Sequence, residues 1–215
     1  MCNTKSRNNK EVLARPRGLS GNTRWDVRNH LDLYTEEERS KRLTTFFKFV
    51  FVRELLQRLL SAYKDRLIKH SSTTAEERQE IVQALRPQDF EPERKNFVRF
   101  QEFIQYFSDN KTRNAHWQQY EKLCHPCVIN YDFIGHLETL EEDASFLLKM
   151  AGVKGNFLPI HNSTGPSEVL QYYSQVPTDY ITRIGEQYRS DFEMFDYEYL
   201  GPVKELLERA KKASS

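Results

Sequence analysis

The sequence is most informative at first through what it lacks. No apolar run approaches the roughly 18 residues that a membrane-spanning helix needs, and the basic opening MCNTKSRNNK has no apolar stretch behind it, so neither a membrane span nor a signal peptide is expected in this chain. An excess of one charge is also missing. Thirty-two Lys and Arg against 31 Asp and Glu leave a formal net charge of +1. That excludes bulk attraction to nucleic acid and leaves any anion site to local geometry. There is no internal repeat and no GxxxxGK[ST] phosphate loop, which disfavours an enzyme of the P-loop kinase type.

Cysteine is scarce, with only Cys2, Cys124 and Cys127. The last two form a lone C-H-P-C, which is half of a zinc site with no second half at suitable spacing, so no metal is expected. A thioredoxin-type pair would sit after a strand and open a helix, which is not the context here. A local disulfide fits an oxidising compartment, and two half-buried thiols fit the cytosol. The sequons at Asn110 and Asn162 fit a luminal protein, although such tripeptides are common by chance.

What is present suits one globular domain of ordinary size. Aromatics reach 13% of the 215 residues, mainly 14 Phe and 11 Tyr, so the core is expected to be built on rings. Residues 1–38 read as a loose basic segment, 39–200 as the main domain and 201–215 as a helical tail. Thr35 and Glu38 have the spacing of a capping box. The run Phe46–Val52 is apolar at nearly every position, as in a strand covered on both faces. The helix after it carries Leu55, Leu56, Leu59, Leu60, Tyr63 and Leu67 on one stripe, and Glu54, Arg58, Ser61 and Asp65 on another face. Residues 71–99 are charged and mostly helical or irregular, and VRFQEFIQYFSD reads as a short amphipathic helix. A second strand is expected over VINYDFIG. A helix follows it, capped by Thr139 and Glu142 and closed by Gly152. Residues 166–190 read as helical again. Strand–helix units with helical insertions predict an α/β fold on a parallel sheet.

Four segments carry a resemblance to a known family: RSKRLTTFFKF, KFVFVRELLQRLLSAYKDRL, the run from FQEFIQYFSD through HWQQYEKLCHPCVINYDFIGHLETLEEDASFLLKMAGV, and YRSDFEMFDY. Together they cover roughly residues 39–200. The chain resembles the Golgi carbohydrate sulfotransferases of the HNK-1 and chondroitin/dermatan 4-O type. That resemblance implies a P-loop nucleotide-kinase-like fold with a parallel sheet. It implies transfer of a sulfuryl group from 3′-phosphoadenosine 5′-phosphosulfate (PAPS) to a glycan hydroxyl, with no metal, on the luminal side of the Golgi membrane. The family's 3′-phosphate motif falls on Arg53, Glu54 and Ser61, with Arg58 on the same helix face. Arg53 ends a strand and begins a helix, where open α/β sheets bind ligands, and a guanidinium there suits a bidentate grip on phosphate. The plainer reading pairs Arg53 with Glu54 or Asp65 and makes Ser61 merely small.

The chain departs from the family's pattern in three places. Leu55-Leu56 stand where Pro-Phe is usual, and Gln57 replaces a common Glu. The 5′-phosphosulfate loop CxNWKR has only faint echoes in Cys2, Asn3 and Lys5, so the first strand and its loop are expected to be lacking, with the membrane anchor and stem. Gly165-Pro166 replace an Arg-Thr pair, leaving Ser163 and Thr164 as possible phosphate contacts. For the base that accepts the hydroxyl proton, His116 ranks first because it sits in a family-like motif beside an aromatic suited to stacking on sugar. A structural histidine bonded to a loop carbonyl is the alternative. His125 and His136 rank lower, and Glu138 and Glu141 read first as acids at a helix N-terminus. Lys64, Arg66, Lys69 and Arg113 are either a path for an anionic glycan or solvated helix faces. The competing functional reading is a catalytically impaired fragment or paralogue with partial nucleotide binding or a partner-binding role.

Overall fold

The structure is a computed structural model, and it describes residues 30–68, 75–91, 97–109, 114–153 and 164–213. Its helices are α1 (Glu36–Thr45), α2 (Leu55–Tyr63), α3 (Ala75–Leu85), α4 (Phe100–Ser108), α5 (Tyr120–Cys124), α6 (Leu140–Met150), α7 (Pro166–Tyr173), α8 (Thr178–Gln187), α9 (Arg189–Met194) and α10 (Lys204–Ala213). The strands are β1 (Phe49–Val52) and β2 (Phe133–His136). No helix among the described residues is long and apolar enough to cross a membrane. The chain divides into two compact units, Met1–Val52 with Gln118–Pro159, and Arg53–Trp117 with Ile160–Ser215.

In the first unit α1 starts as its sequence dictates. The Thr35 hydroxyl accepts the Glu38 amide at 3.3 Å, and the Glu38 carboxylate takes the Thr35 amide at 3.0 Å. β1 and β2 then pair in parallel, with Phe49 opposite Phe133 and Val52 opposite His136. Asp132 pins this register by accepting the Lys48 amide at 2.7 Å and pairing with its ammonium at 2.9 Å. Phe49, Phe51 and Phe133 share one sheet face, and the Phe133–Phe146 contact at 5.7 Å brings α6 onto it.

Coverage on both strand faces, expected for Phe46–Val52, is not what forms. The strand is limited to Phe49–Val52, only Val52 is fully buried, and Phe46, Phe47 and Phe49 are exposed. Full coverage needs neighbouring strands and helices on both faces, and among the described residues the sheet has two strands. The start of α6 also differs from expectation. A 3-10 turn, Leu137–Thr139, intervenes after β2, the capping box of Thr139 with Glu142 does not form, and it is Asp143 that reaches back over the turn. Its carboxylate accepts the His136 amide at 2.7 Å and the Thr139 hydroxyl at 2.8 Å. The far end follows the sequence. Gly152 has φ +68, and the bonds Gly152 N–H to Lys149 O (3.2 Å) and Val153 N–H to Leu148 O (3.0 Å) complete a Schellman motif. Cys127 is disulfide-bonded while Cys124 carries a thiol, so the two are not joined to each other.

In the second unit the leucine stripe of α2 is buried as expected, together with Tyr63 and Leu67. It meets Phe100, Phe103 and Phe107 of α4, Val169 and Tyr173 of α7, and Ile181 and Ile184 of α8. The core is indeed built on rings, with Tyr63–Phe100 at 5.1 Å, Phe100–Tyr173 at 5.0 Å and Phe103–Trp117 at 5.3 Å. The buried phenols find acceptors, Tyr63 on the Val98 carbonyl (2.9 Å) and Tyr173 on the Leu56 carbonyl (3.3 Å), as burial of a hydroxyl requires. Two features escape a pattern of uniform helices. After Tyr63 the chain winds into a π-helical turn, Lys64–Ile68, and residues 166–190 break into three helices around Pro177 and Tyr188.

Gly135 supplies a test of the first unit. A Cβ there would lie 2.4 Å from Cε1 of the Phe51 ring that covers it. Gly135→Val should destabilise the protein by about 1–3 kcal/mol, the usual cost of overpacking, read from thermal or urea melts. Phe51→Leu in the same chain should recover part of that loss, because contacting residues are not additive. An unchanged melt in Gly135→Val would contradict the packing of ring on glycine.

Candidate functional site

The site is built from the start of α2. Arg53 follows β1 directly in the chain, and Glu54 takes the N-cap position, where its buried carboxylate accepts the Gln57 amide at 2.9 Å. That cap starts the helix without the proline that Leu55 replaces, and Leu55 and Leu56 are both buried. Arg53 is half-buried, and its guanidinium donates to the Thr164 carbonyl at 3.3 Å, which ties it to the segment just before α7. Thr164 itself is buried. Two turns up α2, Ser61 is half-exposed, and its hydroxyl makes no hydrogen bond among the described residues.

Arg58 lies inward rather than on a solvated face. Its Nε donates to the His116 carbonyl at 3.4 Å, and its Nη1 is 3.7 Å from the Asp191 carboxylate in a pair that is nearly sealed from solvent. Of the residues that the family resemblance assigns to phosphate, Glu54 is therefore occupied in capping and Arg58 in bracing a loop. Arg53 and Ser61 keep side chains that reach solvent.

The loop braced by Arg58 carries His116. Asn114 Oδ1 accepts the His116 amide at 2.9 Å, and the Trp117 amide closes a turn onto the Asn114 carbonyl at 3.2 Å. The Tyr188 hydroxyl donates to the Trp117 carbonyl. Trp117 is 2% exposed and packs on Phe103, so it belongs to the core and does not offer a face to sugar, contrary to the sequence expectation. An indole with apolar neighbours on several sides gains more from burial than from display.

His116 differs from its neighbour. Its backbone is held on both sides while its ring stays exposed, and the imidazole has no hydrogen-bond partner among the described residues. Among the described residues the structural histidine bonded to a carbonyl is not found. Partial desolvation by the neighbouring protein holds its pKa below the ordinary 6.5. Arg66 and Arg58 push in the same direction, while Glu77 and Asp65 oppose them. The ring is thus neutral at pH 7, with a lone pair to offer.

Of the four basic residues expected along an anionic path, the two that are described are already in pairs. Lys64 pairs with Glu168, and Arg66 forms a fork on Glu77 with bonds of 2.8 and 3.2 Å. Lys69, Arg113, Ser163, Cys2, Asn3 and Lys5 lie outside the described residues. The first unit holds His125, in a left-handed conformation at the end of α5, and His136, whose amide is bonded to Asp143, as well as Glu138 and Glu141. Sequence reasoning missed Glu77, Asn114 and Asp191. The Asn two residues before His116 was a readable sign of an Asx turn, but nothing local marked the other two.

Comparison with known proteins places the chain in a family. A family model described as "Sulfotransferase family" matches residues 4–198. Carbohydrate sulfotransferase 11 of Rattus norvegicus is 34% identical over 180 residues, which are 78% of this chain and 51% of the relative. Carbohydrate sulfotransferase 10 of Danio rerio is 33% identical over 188 residues, with the same two coverages. Carbohydrate sulfotransferase 9 of Homo sapiens is 37% identical over 171 residues, 73% of this chain and 38% of the relative. The chain thus spans about half the length, or less, of these relatives. No solved structure matches. With nine-tenths of its length under one family model and relatives above 30% identity across most of it, the chain belongs to the sulfotransferase family.

Proposed function

We propose that this chain is the core of a carbohydrate O-sulfotransferase that moves a sulfuryl group from PAPS to a hydroxyl of a glycan, on a P-loop nucleotide-kinase-like fold, in the Golgi lumen. The observation that carries this reading is His116, a neutral imidazole with both backbone groups anchored and its ring open to solvent, in the same unit as Arg53 and Ser61. The names of the relatives support the acceptor class. Bound there, the nucleotide supplies an activated sulfuryl group whose bond to the phosphate oxygen breaks as the acceptor oxygen attacks. Arg53 holds the 3′-phosphate through its guanidinium, and Ser61 adds a hydroxyl donor to the same group. His116 takes the proton of the acceptor hydroxyl as its oxygen bonds to sulfur.

Nucleotide binding is testable without an acceptor. Titration with 3′-phosphoadenosine 5′-phosphate should raise the melting temperature. Ligand at about 100 times Kd contributes about 2.7 kcal/mol, which for a chain of this size means a rise of about 5–10 °C. Arg53→Ala should abolish the rise and Ser61→Ala should reduce it. No rise at millimolar nucleotide would sink the assignment.

The proton acceptor has its own signature. His116→Gln should lower kcat by about 100-fold or more, the usual contribution of a general base, and leave the thermal shift with nucleotide intact. Because the folded pKa is depressed, the imidazole stays neutral as pH falls to 6.5 and protonates only below it. The acid limb of the transfer rate should therefore lie below pH 6.5 and vanish in His116→Gln. Assays over a panel of glycosaminoglycan and glycoprotein acceptors read both effects, and an acid limb that persists in His116→Gln would assign the proton to another group.

A further inference from the structure

We propose that Arg66, Glu77 and Asn114 are positioning residues for His116, joined in one hydrogen-bonded chain that the π-helical turn Lys64–Ile68 makes possible. The inference deepens the reading of His116 as the base and rests on it.

Both arms of the chain of contacts converge on the Glu77 carboxylate, which accepts from Arg66 and from Asn114. Arg66 grips Glu77 of α3 with Nη2 to Oε1 at 2.8 Å and Nε to Oε2 at 3.2 Å, a fork that fixes the carboxylate plane. The Asn114 side-chain amide donates from Nδ2 to Glu77 Oε1. Its other end, Oδ1, accepts the His116 amide at 2.9 Å. Each step dictates the next. An ionised carboxylate can only accept, so Glu77 compels Asn114 to turn its NH2 toward it. The Asn114 oxygen is then presented to the backbone N–H of His116, the one donor it meets among the described residues.

The π-helical turn is what admits Arg66. Continued α-helical winding would put Arg66 one turn above Ala62, on the buried side of α2. Winding from i to i+5 changes that phase. Leu67 stays in the core while Arg66 emerges toward Glu77. The turn also carries Asp65 and Arg66, whose charges act on the imidazole in opposite directions. The charges that act on the imidazole are those of Arg58 from α2, Asp65 and Arg66 from the turn and Glu77 from α3, and Arg58 is itself paired with Asp191 of α9. The Arg58 contact to the His116 carbonyl closes the other side of the same residue. A side chain whose two backbone groups are held by side chains from different elements, with the ring left open, is arranged for presentation.

The test reads the His116 amide directly in the full chain. Hydrogen exchange at that N–H, measured by NMR, should speed up by tenfold or more in Asn114→Ala and in Glu77→Ala. Glu77→Gln keeps an acceptor for Asn114 and should restore most of the protection. Amides of α4 serve as the internal reference against general destabilisation. Glu77→Gln should also lower the titration midpoint of the His116 imidazole, and Arg66→Gln should raise it, with His116→Gln used to assign the resonance. His116 exchange unchanged in Glu77→Ala would overturn the proposal. If Glu77→Ala does not fold, Arg66→Gln takes its place, and unchanged exchange and midpoint in that variant would overturn the proposal equally. The relay and the base are separable. Exchange that responds while His116→Gln leaves transfer intact removes the base and keeps the relay. Transfer that needs His116 while exchange ignores Glu77 removes the relay alone.

Discussion

The buried guanidinium of Arg58 is the constraint around which the second unit is arranged. An arginine is always charged, and stripping it of water costs several kcal/mol unless the protein returns a counter-charge and acceptors. Asp191 of α9 supplies the charge and the His116 carbonyl supplies an acceptor, from positions far apart in the chain. Once those partners are required, α2, α9 and the 114–117 loop have little freedom left. The ring core completes the constraint. Trp117 is held on Phe103, and Tyr188, the residue before α9, donates to the Trp117 carbonyl. Such a pair contributes less to net stability than to fixing which segments meet.

The same arrangement explains why His116 is neutral and accessible together. Arg58 and Arg66 disfavour the imidazolium, whereas Asp65 and Glu77 favour it, and the two sets oppose each other around the ring. Desolvation is then the leading influence. Two carboxylates bound up with the loop are already committed, Glu77 to Arg66 and Asn114 and Asp191 to Arg58, and neither draws the imidazole into an ion pair. A histidine in this setting keeps its lone pair available.

What was legible in the sequence was mostly what is local. The capping box of α1, the Schellman glycine at Gly152, the leucine stripe of α2, the amphipathic α4 and the parallel pairing of β1 with β2 each depend on residues a few positions apart or on strand–helix alternation. What was not legible depends on partners distant in sequence. Arg58 at i+4 from Glu54 has the spacing of a solvated face, and only Asp191 and the His116 carbonyl turn it inward. Trp117 beside a histidine suggests a sugar platform until Phe103 covers it. The capping box expected of Thr139 and Glu142 is missing because a 3-10 turn precedes α6 and the Thr139 hydroxyl donates to Asp143 instead. The breaks around Pro177 and Tyr188 were hidden by continuous helical periodicity.

The start of α2 shows how one local solution passes a task to other residues. A helix N-terminus with open amides is a ready anion site. Here the Glu54 carboxylate occupies that position and commits an oxygen to the Gln57 amide, so the terminus already has its negative charge. A second anion placed on those amides would meet repulsion from a buried carboxylate. In the proposed reading, recognition of the nucleotide's phosphate therefore falls to side chains, Arg53 at the head of the helix and Ser61 two turns along it. The cap also accounts for the tolerance of Leu55 at a position where a proline would preset the backbone. With Glu54 fixing the first turn, Leu55 and Leu56 are released to pack in the core.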